Sequence, residues 1–347
     1  MRAGLIGYPF AGKTTLFQAV NPIEANSDLA SVPVPDERFE KLCEAVQPKK
    51  RTYATVELQD DAVRLPGHGG AKPSEFAEAA RKFDLLIHVI REFDDPAVPF
   101  HDAPNPSRDY HSVFSELVLA DLQLAENRLE KLAKSQDAKS PGKRDYLENQ
   151  LFQRLAHSLA DGCTIREIEL DETEQEIVES YRFLTAKPLI TAINCAENNL
   201  NTPSELEKQL AASNLPVFRL CAAIEQEIAS LPEHERQPFF EQIGIERSAA
   251  ESMIQAVYQA LGLITFFTAG EKETRAWPLR KGSTALKAAA TIHTDIAKGF
   301  IRAEVVHYKD FDKIGDVKEC YRQNLMRLEG KDYVVQDGDI INIRNKS

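Results

Sequence analysis

Gly4-Leu5-Ile6-Gly7-Tyr8-Pro9-Phe10-Ala11-Gly12-Lys13-Thr14-Thr15-Leu16-Phe17 decides the fold. Ala3 to Ile6 is a short apolar strand, and Gly7 to Thr14 fits the pattern G-x-x-x-x-G-K-[ST]. Thr14 to Val20 opens a helix. A strand before and a helix after give this pattern its specificity. Gly7 and Gly12 let the backbone turn its N–H groups inward, and the helix N-terminus adds positive potential, so the segment reads as a phosphate cradle. Lys13 is expected to neutralise the β- and γ-phosphates of a nucleotide and to act in catalysis. Phe10, Ala11 and Thr15 are expected to line the cradle, and the Thr14 hydroxyl to ligate Mg²⁺.

Outward from the loop, strands and helices alternate. Glu37 to Val46 is helical by the spacing of Phe39, Leu42, Ala45 and Val46. Thr52 to Leu58 alternates and is rich in β-branched residues, which predicts one strand. Asp84 to Arg91, Pro188 to Asn194 and Pro216 to Leu220 are apolar runs of the kind a buried parallel sheet requires. The pattern predicts a doubly wound α/β domain. Residues 22 to 36 and the glycine-rich stretch 67–70 read as loops.

The middle and the tail differ from this. Val118, Leu122, Ala125, Leu129 and Leu132 follow a heptad seam, Pro141-Gly142 is a turn, and Leu147, Leu151, Leu155 and Leu159 form one face of a second helix. This predicts an antiparallel helical hairpin inserted into the α/β domain. Ala303 to Tyr308 alternates, and Tyr333 to Ile343 reads as a hairpin around an Asp-Gly turn, so the tail is a small module of its own.

The bulk properties bound the function. A chain of 347 residues holds two or three domains. No apolar run reaches the roughly 18 residues of a membrane span, and the N-terminus has no signal-peptide pattern, so no membrane and a cytoplasmic location are expected. Five cysteines without a C-x-x-C pair argue for reduced thiols rather than a disulfide or zinc framework. The net charge is −12. Residues 271–347 carry 15 Lys and Arg against 12 Asp and Glu, about +3, which leaves the rest near −15. Any nucleic-acid contact is therefore expected on the C-terminal part.

Further segments carry a resemblance. Leu263 to Glu273 (LITFFTAGEKE) with Arg275-Ala276-Trp277, Ile292 to Glu304 (IHTDIAKGFIRAE), Leu328 to Asp339 (LEGKDYVVQDGD), Cys221-Ala222-Ala223-Ile224-Glu225, Val32 to Arg38 (VPVPDER) and Pro48-Lys49-Lys50 resemble the YchF / Obg-like ATPase family of P-loop proteins. The resemblance covers most of the chain and is weakest at 20–31 and 60–80. It implies a P-loop domain in two parts, 1–112 and 183–262, a coiled-coil insert at 113–182, and a β-grasp-like α+β TGS domain at 263–347. It also implies ATP as ligand, with GTP the open alternative, and Mg²⁺ held by Thr14 and Asp60. The base would lie against Asn194, Cys195, Glu197, Cys221, Ala222 and Ala223. Asn194-Cys195-Ala196-Glu197 stands where guanine-reading proteins carry Asn-Lys-x-Asp. Without that Asp, the carboxylate that selects guanine is gone. His88 matches the histidine of the family's Gly-His-Val-Val-Arg, which is implicated in hydrolysis, with His68 a weaker candidate.

The chain also departs from the family. Val63 stands where Asp-x-x-Gly has its glycine, Glu24 where a switch threonine is expected, and Leu65 to Gly70 lacks the lysine spacing. These departures point to slow hydrolysis or none. Three readings follow: a slow ribosome-associated ATPase, a nucleotide-binding adaptor without turnover, and a GTPase with an altered base pocket. Ribosome or RNA contact is expected through the TGS portion, with Lys281, Lys287, Lys298, Arg302 and Lys309, and through the helical arm. A monomer is favoured.

Overall fold

The computed structural model describes residues 1–21, 28–60, 63–66 and 72–346. Its strands are β1 (Arg2–Ile6), β2 (Leu29–Pro33), β3 (Arg51–Thr52), β4 (Thr55–Gln59), β5 (Leu85–Arg91), β6 (Leu189–Asn194), β7 (Val217–Leu220), β8 (Leu263–Thr268), β9 (Thr274–Arg280), β10 (Phe300–Val306), β11 (Arg327–Glu329) and β12 (Ile340–Asn345). Its α-helices are α1 (Lys13–Val20), α2 (Glu37–Val46), α3 (Pro73–Arg81), α4 (Pro106–Leu132), α5 (Arg144–Ala160), α6 (Glu172–Tyr181), α7 (Glu205–Ala212), α8 (Ala222–Ser230), α9 (Glu233–Ile243), α10 (Ala249–Ala260), α11 (Ala285–Ile292), α12 (Thr294–Lys298), α13 (Tyr308–Ile314) and α14 (Val317–Arg322). The chain divides into two compact units, Met1–Ala30 with Glu57–Ala250, and Ser31–Val56 with Glu251–Ser347.

The first sheet has the order β2-β4-β1-β5-β6-β7. β1 runs parallel to β4 and β5, β5 to β6, and β6 to β7. Every residue of β5 and β6 is buried, which is why both read as uninterrupted apolar runs. Because these strands share one direction, the chain leaves all five at the same edge, after Ile6, Gln59, Arg91, Asn194 and Leu220. Ligands of open α/β sheets bind at that carboxyl edge. Gly7, Asp60, Cys195 and Cys221 follow directly from it.

The helical hairpin grows out of this unit. α4 starts at Pro106, capped by the Asn105 side chain, which accepts from the Arg108 N–H. Its first half covers the sheet: Val113 and Leu117 pack with Ile6 and Leu86, and Tyr110 packs with Ile90 and Ile193. Its second half is the arm, where Val118 and Ala125 pack against Leu151, Leu155 and Leu159 of α5 and against Ile177 and Val178 of α6. Arg128 meets Glu148, and Ser135 meets Asp145, so the two helices run antiparallel. Leu147, expected on the buried face, is 42% exposed, and Phe152 is buried instead. Leu147 lies in the first turn of α5, next to the hairpin's turn, where there is less helix to cover it.

At the foot of the arm, Asp121 is wholly buried and accepts from the Leu184 and Thr185 N–H groups, the Thr185 hydroxyl and Arg81 Nη2. Lys187 Nζ donates to the carbonyls of Ala80, Arg81 and Phe83, which closes the C-terminus of α3.

The second sheet has the order β11-β10-β12-β8-β9-β3. β10 is antiparallel to β11 and β12, β8 is antiparallel to β9, and β12 is parallel to β8. Ile264, Phe266, Leu279, Ala285, Ala288, Val305 and Ile341 form its core.

Two strand expectations are corrected here. The run 52–58 is not one strand. It breaks at Tyr53-Ala54, with β3 in the second sheet and β4 in the first. There the Tyr53 hydroxyl donates to Glu40, and the Ala54 carbonyl accepts from the Val34 N–H. Nor is 333–343 a hairpin. The Asp339 carboxylate accepts from the Gln336 N–H and the Tyr333 hydroxyl and meets His307 Nδ1, so a side chain takes the place of a ladder partner. Only β12 forms beyond the turn, while Val334 bridges to Thr284.

Candidate functional site

The phosphate-loop glycines answer to specific neighbours. Gly7 has φ 141°, and a Cβ there would stand 2.2 Å from the Val89 carbonyl oxygen on β5. Gly12 has φ 93°, and its Cβ would stand 2.1 Å from Asn194 Nδ2. Any side chain at either position would push the loop off the sheet edge. Phe10 also has a positive φ, 63°, and its side chain is exposed. Gly12, at the N-cap of α1, offers no side-chain oxygen to the first amides of that helix, at Lys13, Thr14 and Thr15, and a helix N-terminus of this kind suits an anion. Lys13 Nζ donates to the carbonyls of Gly7 at 3.0 Å and Tyr8 at 2.9 Å. The cation is thus folded back over its own loop.

The Thr14 hydroxyl donates to Asp60 Oδ2 at 2.6 Å. Asp60 is buried, its N–H donates to the Asp28 carbonyl, and Oδ1 has no hydrogen-bond partner among the described residues. An orphaned buried carboxylate oxygen beside a hydroxyl fits a hard cation. Among the described residues no three His, Cys, Asp or Glu side chains gather into a metal cage. Mg²⁺ is normally bound by one or two protein oxygens together with phosphate and water, so this pair suits it. Asp61, Ala62, Glu24 and the segment with His68 lie outside the described residues.

Asn194 joins the loop to the far side of the site. Its Nδ2 donates to the Ala11 carbonyl at 3.0 Å, and its Oδ1 accepts from the Ala222 N–H at 2.9 Å, at the start of α8. Cys195 and Cys221 are buried, and burial pushes the Cys195 thiol up. Glu197 and Ala223 are exposed. Arg219, which the apolar reading of its strand passed over, fixes this corner. It pairs with Glu92 and Glu207, each at 2.7 Å, and donates to the Asn199 carbonyl behind Glu197. A charged residue inside an otherwise apolar strand was the signal available.

The two histidines near the loop differ sharply. His88 lies on β5 opposite Ile6, is 1% exposed, and stacks on Tyr110. Burial, with the charge of Lys13 second, pushes its pKa down to about 3, so the ring is neutral near pH 7. Its Nε2 has no partner among the described residues. His101, which the sequence reading did not single out, is exposed and stacks on Tyr8 of the loop, with centroids 4.3 Å apart. Val63 is buried with Ile6, Leu65, Phe76 and Leu86, so its side chain serves the core.

Comparison with known proteins identifies the family. The family model YchF-GTPase_C, described as "Protein of unknown function (DUF933)", matches residues 263–346. The chain is 36% identical to the "Ribosome-binding ATPase YchF" of Bacillus subtilis over 99% of both chains. It is 38% identical to the protein of that name from Haemophilus ducreyi, over 99% of this chain and 98% of that one. A solved structure, the YchF GTPase of Schizosaccharomyces pombe, superposes with a TM-score of 0.89 at 30% identity, covering 99% of this chain and 97% of that one. The chain belongs to the YchF family of P-loop nucleoside triphosphatases.

Proposed function

We propose that the chain binds ATP with Mg²⁺ and hydrolyses it slowly as a ribosome-associated ATPase of the cytoplasm. The observation that carries the reading is Lys13 clasped by the Gly7 and Tyr8 carbonyls, beside the open N-terminus of α1 and the Thr14–Asp60 pair. Lys13 exchanges those two carbonyls for phosphate oxygens when a nucleotide enters. Gly7, Phe10, Ala11, Gly12 and Thr15 supply the backbone around it. Thr14 and Asp60 would hold Mg²⁺, which when bound would supply positive charge against the phosphates. Asn194 braces the loop, and Cys195, Glu197, Cys221, Ala222 and Ala223 border the base. Glu197 lies in the 3-10 turn that Arg219 fixes, and the absence of a guanine-reading Asp favours adenine.

His88 is too enclosed to meet water directly, so we assign it the loop's rear wall and His101 the side from which water approaches. Ribosome association is supported by the names of the relatives and by the basic balance of 271–347. A monomer and a site that also admits GTP are kept within this reading.

The adaptor reading draws on Val63. A valine packed into the core leaves less freedom for a backbone N–H to reach a γ-phosphate. Phosphate release from ATP with Mg²⁺ and K⁺ present separates the two. The slow-ATPase reading expects release that Asp60→Ala lowers by about tenfold or more and that chelation of Mg²⁺ abolishes. ATP binding with no release in any condition selects the adaptor.

A further inference from the structure

Arg91 ends β5 wholly buried, and it is the largest fully buried side chain among the described residues. No carboxylate pairs with it among those residues. Its guanidinium instead donates to five backbone carbonyls. Four belong to the segment that follows: Phe93 at 3.1 Å, Val98 at 3.2 Å, Asp95 at 3.3 Å and Pro99 at 3.5 Å. The fifth is Phe10 of the phosphate loop, at 3.4 Å. The rings of Phe93 and Phe100 flank the cation, with centroids 4.2 and 4.7 Å from Cζ.

A buried cation survives only if dipoles replace its water, and here the fold turns five carbonyls toward one side chain. Only a guanidinium has donors on enough sides to serve them all. An ammonium has three donors on one atom and cannot serve all five carbonyls. The same segment closes on the loop a second time at its far end. Phe100 meets Tyr8 edge-on and His101 stacks on it, while the Tyr8 hydroxyl donates to Ser112 on α4. The two attachments flank Pro9, one at Phe10 and one at Tyr8. Arg91 therefore orders the segment that carries His101, whose ring is held further by Arg108 Nη2 at 3.3 Å and Asp109 Oδ1 at 3.5 Å.

We propose that Arg91 is a positioning residue for nucleotide turnover: it clamps the segment 92–100 to the phosphate loop and, together with Arg108 and Asp109, keeps His101 beside Tyr8. This rests on the reading of the loop as an ATP site. Loss of the clamp leaves ATP binding in place and lowers turnover.

The test uses the full chain with Arg91→Lys, Arg91→Ala, His101→Ala and the pair Arg91→Lys with His101→Ala. Hydrogen exchange with ATP present is read on segment 92–101 and, as control, on α5. Affinity for ATP and phosphate release are measured on the same samples. Arg91→Lys is expected to speed exchange of 92–101 by about tenfold and leave α5 unchanged. It should keep ATP affinity within about threefold and lower phosphate release by about tenfold. The double variant should be no slower than His101→Ala alone, since both changes remove one device. Millimolar guanidinium should restore part of the turnover of Arg91→Ala. If Arg91→Ala does not fold, Arg91→Lys and the double variant decide alone.

Unchanged exchange, full turnover in Arg91→Lys, losses that multiply in the double variant, or ATP affinity lost in step with turnover would each overturn the proposal. So would an unsubstituted chain that binds ATP without releasing phosphate, because Arg91 would then be a structural clamp. A chain that does not bind ATP fails the functional reading itself, and the binding arm shows this before any variant is compared.

Discussion

At the scale of single residues, the site combines local and distant information. Gly7, Gly12, Lys13 and Thr14 were legible because their chemistry depends on spacing within eight residues. Their partners were not. Val89 and Asn194, which exclude any Cβ from Gly7 and Gly12, reach the loop only through the sheet. His88 shows the limit most clearly. Its strand was readable, but its burial depends on α4 lying over it through Tyr110.

That burial has a consequence for acid stability. The unfolded histidine protonates near 6.5 and the folded one only near 3. Between those values the unfolded chain binds the extra proton, so this group removes stability as pH falls from about 6.5 toward 3 and none above. Urea unfolding at pH 6, 5 and 4 should therefore fall more steeply for the unsubstituted chain than for His88→Gln, by roughly 1.4 kcal/mol per pH unit. Equal slopes would contradict the buried neutral ring.

At the scale of elements, α4 does two jobs along its 27 residues. Its heptad seam was read correctly in the arm, but the same helix begins earlier, at Pro106, and covers the sheet. The joint between the two halves is Asp121, whose four donors come from α3 and from the turn before β6. An aspartate on a helix face gives no hint of this in sequence, because its partners lie 40 and 63 to 64 residues away. Asp121→Ala strands buried N–H groups and should cost about 3 kcal/mol or more. Arg81→Met removes one donor of the four and should cost clearly less. Thermal unfolding of both variants checks the order, and equal small losses would show that the joint does not hold the arm. The misread hairpin at 333–343 has a related cause. Its alternation is real, but Asp339 supplies a side-chain partner where a strand would have been.

At the scale of the whole molecule, the chain builds two sheets and visits the second early, through β3 alone, between β2 and β4 of the first. Local periodicity cannot report such an excursion, which is why 52–58 looked like one strand. The parallel sheet brings five strand ends to one edge, and the phosphate loop, Asp60, Glu92, Cys195 and Cys221 follow them there. This edge is where a nucleoside triphosphate is proposed to bind through Lys13. Equilibrium titration of ATP with Mg²⁺ into the unsubstituted chain and Lys13→Ala, with GTP as competitor, tests it most directly. The expected result is ATP binding that GTP displaces only weakly, and a loss of about a hundredfold or more in Lys13→Ala, which is about 2.7 kcal/mol. Undiminished ATP affinity in Lys13→Ala would contradict it.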